Sequence, residues 1–257
     1  MTETLAAIPR WGWMWALAVA IFATCKAASW IPHRAAGTAA RSAGYLILWP
    51  GMDARSFLDA GHRPARPGVA EWLFAAGKTL FGSALMWLVA PLATAPLLRG
   101  WIGLVGMIFI LHFGTFHLVS LAWRRAGVQA EPIMRAPVLA SSLGDLWGKR
   151  WNLGFRDLAH GLIFARVAPR LGTGGAALAV FVASGLVHDL VISVPAGGGY
   201  GLPTAYFLLQ GVGVLAERKL KFSSRLFAIL VAAGPAYFLF HPTFVRNVFL
   251  PFMEVIS

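Results

Sequence analysis

Residues 101–123 read WIGLVGMIFILHFGTFHLVSLAW, a run without a single Asp, Glu, Lys or Arg, and Arg124-Arg125 follow at once. A helix rises about 1.5 Å per residue, so about 20 apolar residues cross a hydrocarbon core of about 30 Å. The run is long enough to span a bilayer, and the arginine pair marks where it leaves. Five other stretches have the same character: Trp11 to Ile31, Trp72 to Leu98, Gly174 to Pro195, Pro203 to Ala216 and Leu226 to Phe240. The first opens with Trp11, Trp13 and Trp15, which suit a membrane interface. Its end, Thr24-Cys25-Lys26, lacks the small-residue pattern of a cleaved leader, so it reads as a retained span.

Composition agrees. Of 257 residues, 58% are hydrophobic and 12% charged, against roughly 25% charged in a soluble domain. Mean hydropathy is +0.68. Aromatic residues at 13% exclude a disordered chain, and Cys25, the sole cysteine, excludes a disulfide scaffold. The expected fold class is all-α: a polytopic integral membrane helical bundle of about six to eight membrane segments plus interfacial helices. It forms one domain over residues 1–257.

The net charge of +12 does not point to nucleic acid here, because basic loops orient membrane spans. Residues 51–70 carry Arg55, Arg63 and Arg66; residues 124–170 carry eight Arg and Lys; Arg218, Lys219, Lys221 and Arg225 follow the fifth run. The turn from Ala196 to Leu202 has no charge. The basic loops therefore read as cytoplasmic and the glycine-rich turn as external. Phe155 to Leu171, with Arg156, Asp157, Arg166 and Arg170 among apolar residues, reads as an interfacial helix. The tail from Phe244 to Ile256 suits docking at either surface.

Ionisable groups inside such runs mark function by default. Ser184-Gly185-Leu186-Val187-His188-Asp189 places a histidine and an aspartate seven and six residues before Pro195, with Ser184 on the His188 face. Leu146-Trp147-Gly148-Lys149-Arg150-Trp151-Asn152 places two tryptophans one helical turn apart around two cations. Aromatics and cations alone describe an interfacial anchor, but Asn152 does not fit one. His112 and His117 lie about 140° apart on a helix and cannot serve one metal together; a haem shared with the His188 helix is permitted but not required. Gly172 to Ala177 fits a dinucleotide-binding string but lacks the preceding strand. Gln210 and Glu217 share a helix face, with Glu217 expected at the cytoplasmic edge.

Together these segments resemble the wax-synthase-like branch of the membrane-bound O-acyltransferases (MBOAT). Its pattern of W-G-x-R-W-N, then S-G-x-x-H-[DE], then Q/H-G and E is matched by Trp147 to Asn152, Ser184 to Asp189, and Gln210-Gly211 with Glu217. The match covers about residues 141–220. Leu46 to Asp53 also looks like bacterial members. The resemblance implies transfer of a fatty acyl group from acyl-CoA, as co-substrate, to a lipophilic hydroxyl acceptor, most directly a long-chain alcohol giving a wax-type ester. It implies His188 as general base and Asn152 as the second catalytic residue. Trp147, Lys149, Arg150, Trp151 and Asp189 would bind substrate, with Lys149 and Arg150 on coenzyme A phosphates. It implies no metal or cofactor, and a bacterial inner membrane as location. At 257 residues the chain is shorter than many members, which implies a reduced acceptor pocket. The rival expectation is a small proton-coupled transporter or lipid-binding membrane protein using His188 and Asp189 as a proton relay. The missing internal repeat speaks against a transporter.

Overall fold

In the computed structural model, which describes residues 8–61 and 63–256, the apolar runs are helices and no strand occurs among the described residues. Helix α1 is Arg10–Ala36, α4 is Val69–Leu92, α5 is Pro96–Arg125 and α7 is Leu153–Ala196. Two short helices, α2 (Ala39–Leu48) and α3 (Ala54–Leu58), lie between α1 and α4. Residues 143–150 form α6, Leu202–Leu220 α8, Arg225–Leu239 α9 and Pro242–Ile256 α10.

Four helices, α1, α4, α5 and α7, are long and apolar enough to cross a membrane; α9 and α10 add a fifth if their 53° bend lies within one span. Helix α8 fails on charge, because its last turns carry Glu217, Arg218 and Lys219. The expected interfacial helix and fourth span are two arms of α7, divided at Gly172 (φ 68°, ψ 174°), a conformation open to glycine. Pro96 opens α5 instead of closing the second span; at a helix start its missing N–H loses no hydrogen bond.

At the end of the bundle that holds the glycine-rich turn, Ala196 O accepts from Arg10 Nη1 and from Asn247 Nδ2 at 3.0 Å, and Trp87 Nε1 donates to Ile256 O at 2.9 Å. The tail helix α10 docks at that end, joining α1, α4 and α7. At the basic end Arg124 pairs with Glu71 at 2.7 Å, and the buried Lys26 Nζ donates to Gly51 O at 2.7 Å above the Tyr45 ring.

The outward face of α4 presents Leu73, Leu80 and Leu88, each about two-thirds exposed. Water would penalise such a face; lipid does not. The chain is an integral membrane protein. Inside, three apolar clusters fill the bundle, and the third, around Leu143, Leu146, Phe181, Phe207 and Val214, borders the site.

Candidate active site

The second arm of α7 delivers His188 to a cavity of about 360 Å³. Its Nδ1 lies 2.7 Å from the carbonyl oxygen of Ser184, one turn back. A carbonyl only accepts, so Nδ1 carries the proton and the neutral ring keeps its lone pair on Nε2. Phe207 of α8 packs on the ring at 4.5 Å between centroids. It reaches there because Gly185 lets α8 pass: a Cβ on Gly185 would stand 2.6 Å from the Thr204 Cα. The histidine is thus fixed in tautomer by its own helix and in orientation by the next.

Asn152 lies on another wall of the same cavity. Its backbone is left-handed (φ 42°, ψ 59°), a region asparagine tolerates better than most residues. It caps the first arm of α7, its Oδ1 accepting from Phe155 N at 3.4 Å. With Oδ1 so engaged, Nδ2 is the remaining donor. Gly51 and Met52 lie against the start of the same arm, since a Cβ on Gly154 would meet Met52 N at 2.9 Å.

Trp147 and Trp151 line the cavity as expected, one turn apart with centroids at 6.2 Å. Helix α8 holds them. Buried Gln210 accepts from Trp147 Nε1 at 3.3 Å and donates to Val231 O at 2.7 Å. Glu217 is buried; its carboxylate accepts from Leu143 N at 2.7 Å and Gly144 N at 2.9 Å. These are free amides at the start of α6, where a carboxylate is favoured.

Three expected substrate-binding residues lie off the cavity. Lys149 is exposed on the opposite face of α6. Arg150 turns to Asp145, with Nε 2.6 Å from Oδ2; the guanidinium holds that carboxyl below the usual aspartate range. Asp189 belongs to the start of α8, accepting from Ser193 Oγ and Gly201 N at 2.8 Å each, from Thr204 N at 3.1 Å and from Thr204 Oγ1. The cause is helical geometry: neighbours in sequence point about 100° apart. His188 and Asp189 face different partners, so the paired relay of the transporter reading is not present. Two cations not foreseen, Arg156 and Arg218, line the cavity instead, along with His160 and Ser184. Arg156 also borders a second, polar cavity of about 240 Å³ beside Asp53 and Arg135.

His117 is engaged elsewhere, its Nδ1 accepting from Lys78 Nζ at 2.9 Å. Among the described residues no group of three or more His, Cys, Asp or Glu is placed to hold a metal ion.

Residues 130–209, which contain Asn152 and His188, match the model of the Membrane bound O-acyl transferase family. That stretch of the chain is similar to the family. Over 142 residues the chain is 31% identical to probable long-chain-alcohol O-fatty-acyltransferase 7 of Arabidopsis thaliana, covering 47% of this chain and 42% of that protein. Long-chain-alcohol O-fatty-acyltransferase of Simmondsia chinensis is 31% identical over 105 residues, 37% of this chain and 30% of that protein. Acyl-CoA–sterol O-acyltransferase 1 of Arabidopsis thaliana is 34% identical over 71 residues, 25% of this chain and 21% of that protein. The matched stretch thus spans less than half the length of these relatives. The resemblance read from the motifs is borne out.

Proposed function

We propose that this membrane-bound O-acyl transferase core moves a fatty acyl group from acyl-CoA to the hydroxyl of a lipophilic acceptor, most directly a long-chain alcohol, giving a wax-type ester. The observation that carries the reading is that His188 and Asn152 both line one largely apolar cavity, with His188 Nε2 and Asn152 Nδ2 not used in the bonds that hold them. Its volume falls in the range of about 300–1,000 Å³ usual for small-molecule sites. The relatives' names, with long-chain alcohols and a sterol as acceptors, point the same way.

In the reaction, His188 Nε2 takes the acceptor's hydroxyl proton as the oxygen attacks the thioester carbonyl carbon. The Asn152 amide donates to the developing oxyanion. The C–S bond then breaks, the ester leaves, and the thiolate of coenzyme A takes the proton back from His188. Atoms balance with these two reactants, so the reading calls for no metal or further cofactor. Arg218, which lines the cavity with no ion-pair partner among the described residues, holds the coenzyme A phosphates, in place of Lys149 and Arg150; Arg156 lies beside it but is paired with Asp157 and Gly148 O. The location in a bacterial inner membrane rests on the likeness of residues 46–53 to bacterial members; the relatives named above are plant proteins.

The test uses membranes containing the chain, labelled palmitoyl-CoA and a panel of alcohols and sterols, with lipid products separated. A new ester made by wild type and lost in His188→Ala supports the reading. No ester with any acceptor, from folded protein, overturns it.

A further inference from the structure

The buried polar side chains of this bundle are accounted for almost without remainder. Lys26 binds Gly51 O, Ser120 Oγ donates to Ala130 O at 2.6 Å, and Gln210 and Glu217 are described above. His241 Nδ1 accepts from Phe244 N at 3.1 Å. Among the described residues three buried side-chain nitrogens have no partner: Nε of Arg99, Nε of Arg124 and Nδ1 of His112. The first two belong to guanidinium groups with other nitrogens to offer. His112 is different, because neither of its ring nitrogens has a hydrogen-bond partner. A buried polar atom left in that state is disfavoured in any fold and asks for a missing partner.

Its position says what kind. His112 sits at mid-length of α5, in a widened π-helical turn from Phe109 to Thr115, a distortion frequent at functional sites. Phe116, one turn on, packs edge-on against its ring at 5.4 Å. The adjoining Phe113 packs edge-on against Trp151 at 5.9 Å, and Trp151 is a wall of the cavity that holds His188. His112 also stands within electrostatic reach of His188 itself. His112 thus stands amid phenylalanines at membrane depth, one residue from the Phe113 that packs on the cavity wall, without itself lining that cavity.

We propose that His112 is the acceptor-hydroxyl subsite: its ring N–H donates to the hydroxyl oxygen of a long-chain alcohol whose proton is directed at His188 Nε2. The inference rests on the acyl-transfer reading and adds a residue to it. One lone pair of the hydroxyl oxygen takes the His112 hydrogen bond, the second attacks the thioester, and the hydroxyl proton passes to His188. The His112 bond forms in the ground state as well as in the transition state. Its loss therefore appears in the KM for alcohol rather than in kcat.

The experiment compares wild type, His112→Ala, His112→Phe and His112→Asn, with hexadecanol and palmitoyl-CoA varied separately and labelled hexadecanol binding measured on purified protein. Loss of one such hydrogen bond corresponds to about tenfold. The expected result is an alcohol KM raised about tenfold in His112→Ala and His112→Phe, an acyl-CoA KM unchanged, and recovery in His112→Asn, which keeps a donor. Hexadecanol binding weakens in parallel. An alcohol KM and hexadecanol binding at wild-type values in folded His112→Phe would overturn the proposal. A purely structural role would instead lower Tm and raise both KM values together, which also overturns it. If wild type makes no ester, the acyl-transfer reading fails separately, and the binding comparison between wild type and His112→Phe still decides the subsite.

Discussion

Two antiparallel helix pairs, α4 with α5 and the second arm of α7 with α8, are each joined by a short uncharged turn. They use polar residues in opposite ways. In the α7–α8 pair every polar group that crosses the boundary has a protein partner: Asp189 binds the start of α8, and Gln210 and Glu217 bind α6. In the α4–α5 pair, Lys78 and His117 satisfy each other and His112 is left open. A polar residue in an apolar helix is therefore no mark of function by itself. What distinguishes a working residue is an atom left over after the fold has taken its share. His188 keeps Nε2, Asn152 keeps Nδ2, and Asp189 keeps nothing.

The sharpest way to break that contrast is at His188. Replacement by alanine should lower ester synthesis by about 10²–10⁴-fold, with a lower thermal midpoint from the lost packing on Phe207 and the lost bond to Ser184 O that protein-matched assays separate from turnover. Next comes Asn152. Its alanine variant should lose about 10²–10³-fold in kcat and a helix cap of about 0.5–2 kcal/mol. Asn152→Asp retains the cap but not the donor, so it should restore the midpoint in a thermal melt and not the turnover. If turnover returns with the cap, the amide has no part in the chemistry.

A smaller effect is expected at Gln210. Gln210→Leu leaves Trp147 Nε1 and Val231 O without partners, which should destabilise by about 1–3 kcal/mol and reduce turnover through a displaced Trp147. His117→Leu gives the matching test in the other pair: a lower midpoint from the stranded Lys78, with kcat at the wild-type level once protein amounts are matched. A fall in kcat there would mean that a partnered polar group also works. The smallest effect concerns Asp145. Arg150 depresses its folded-state pKa, so its contribution is complete above the unfolded value of about 3.9 and is lost as pH falls through the lower folded value. Stability should show no Asp145 dependence between about pH 6 and 9. Arg150→Met should flatten only the acid side of the profile, read by melts across pH.

Much of this was legible in the sequence. The uncharged run at 101–123 and the arginine pair after it gave α5. The two stretches richest in unexpected polar groups do line one cavity. What could not be read was which neighbour within a motif faces inward. Lys149, Arg150 and Asp189 stand beside Trp151 and His188 in sequence, but one residue along a helix is a turn of about 100°, and periodicity does not fix the phase where apolar residues lie on every side. The burial of Glu217 was hidden for a related reason: a carboxylate near a basic stop looks solvated until its amide partners, more than seventy positions away, are known. Its spacing from Gln210 was the available signal. Arg156 and Arg218 came together only because α7 breaks at Gly172 and α8 packs against it.

That spacing has a consequence for how the chain tolerates change. Gln210 and Glu217 are seven residues apart, about 10.5 Å along the axis and close to two whole turns, and they engage points on α6 from its first amides to the Trp147 indole. Helix α8 acts as a toothed rack on which α6 is hung. One residue inserted between the two teeth would swing either out of mesh by about 100°, whereas the same insertion in the loop at 221–224 would leave both engaged. Tolerance to length change in this protein is therefore graded along α8, and lowest where the helix looks plainest, in the apolar stretch between two polar residues.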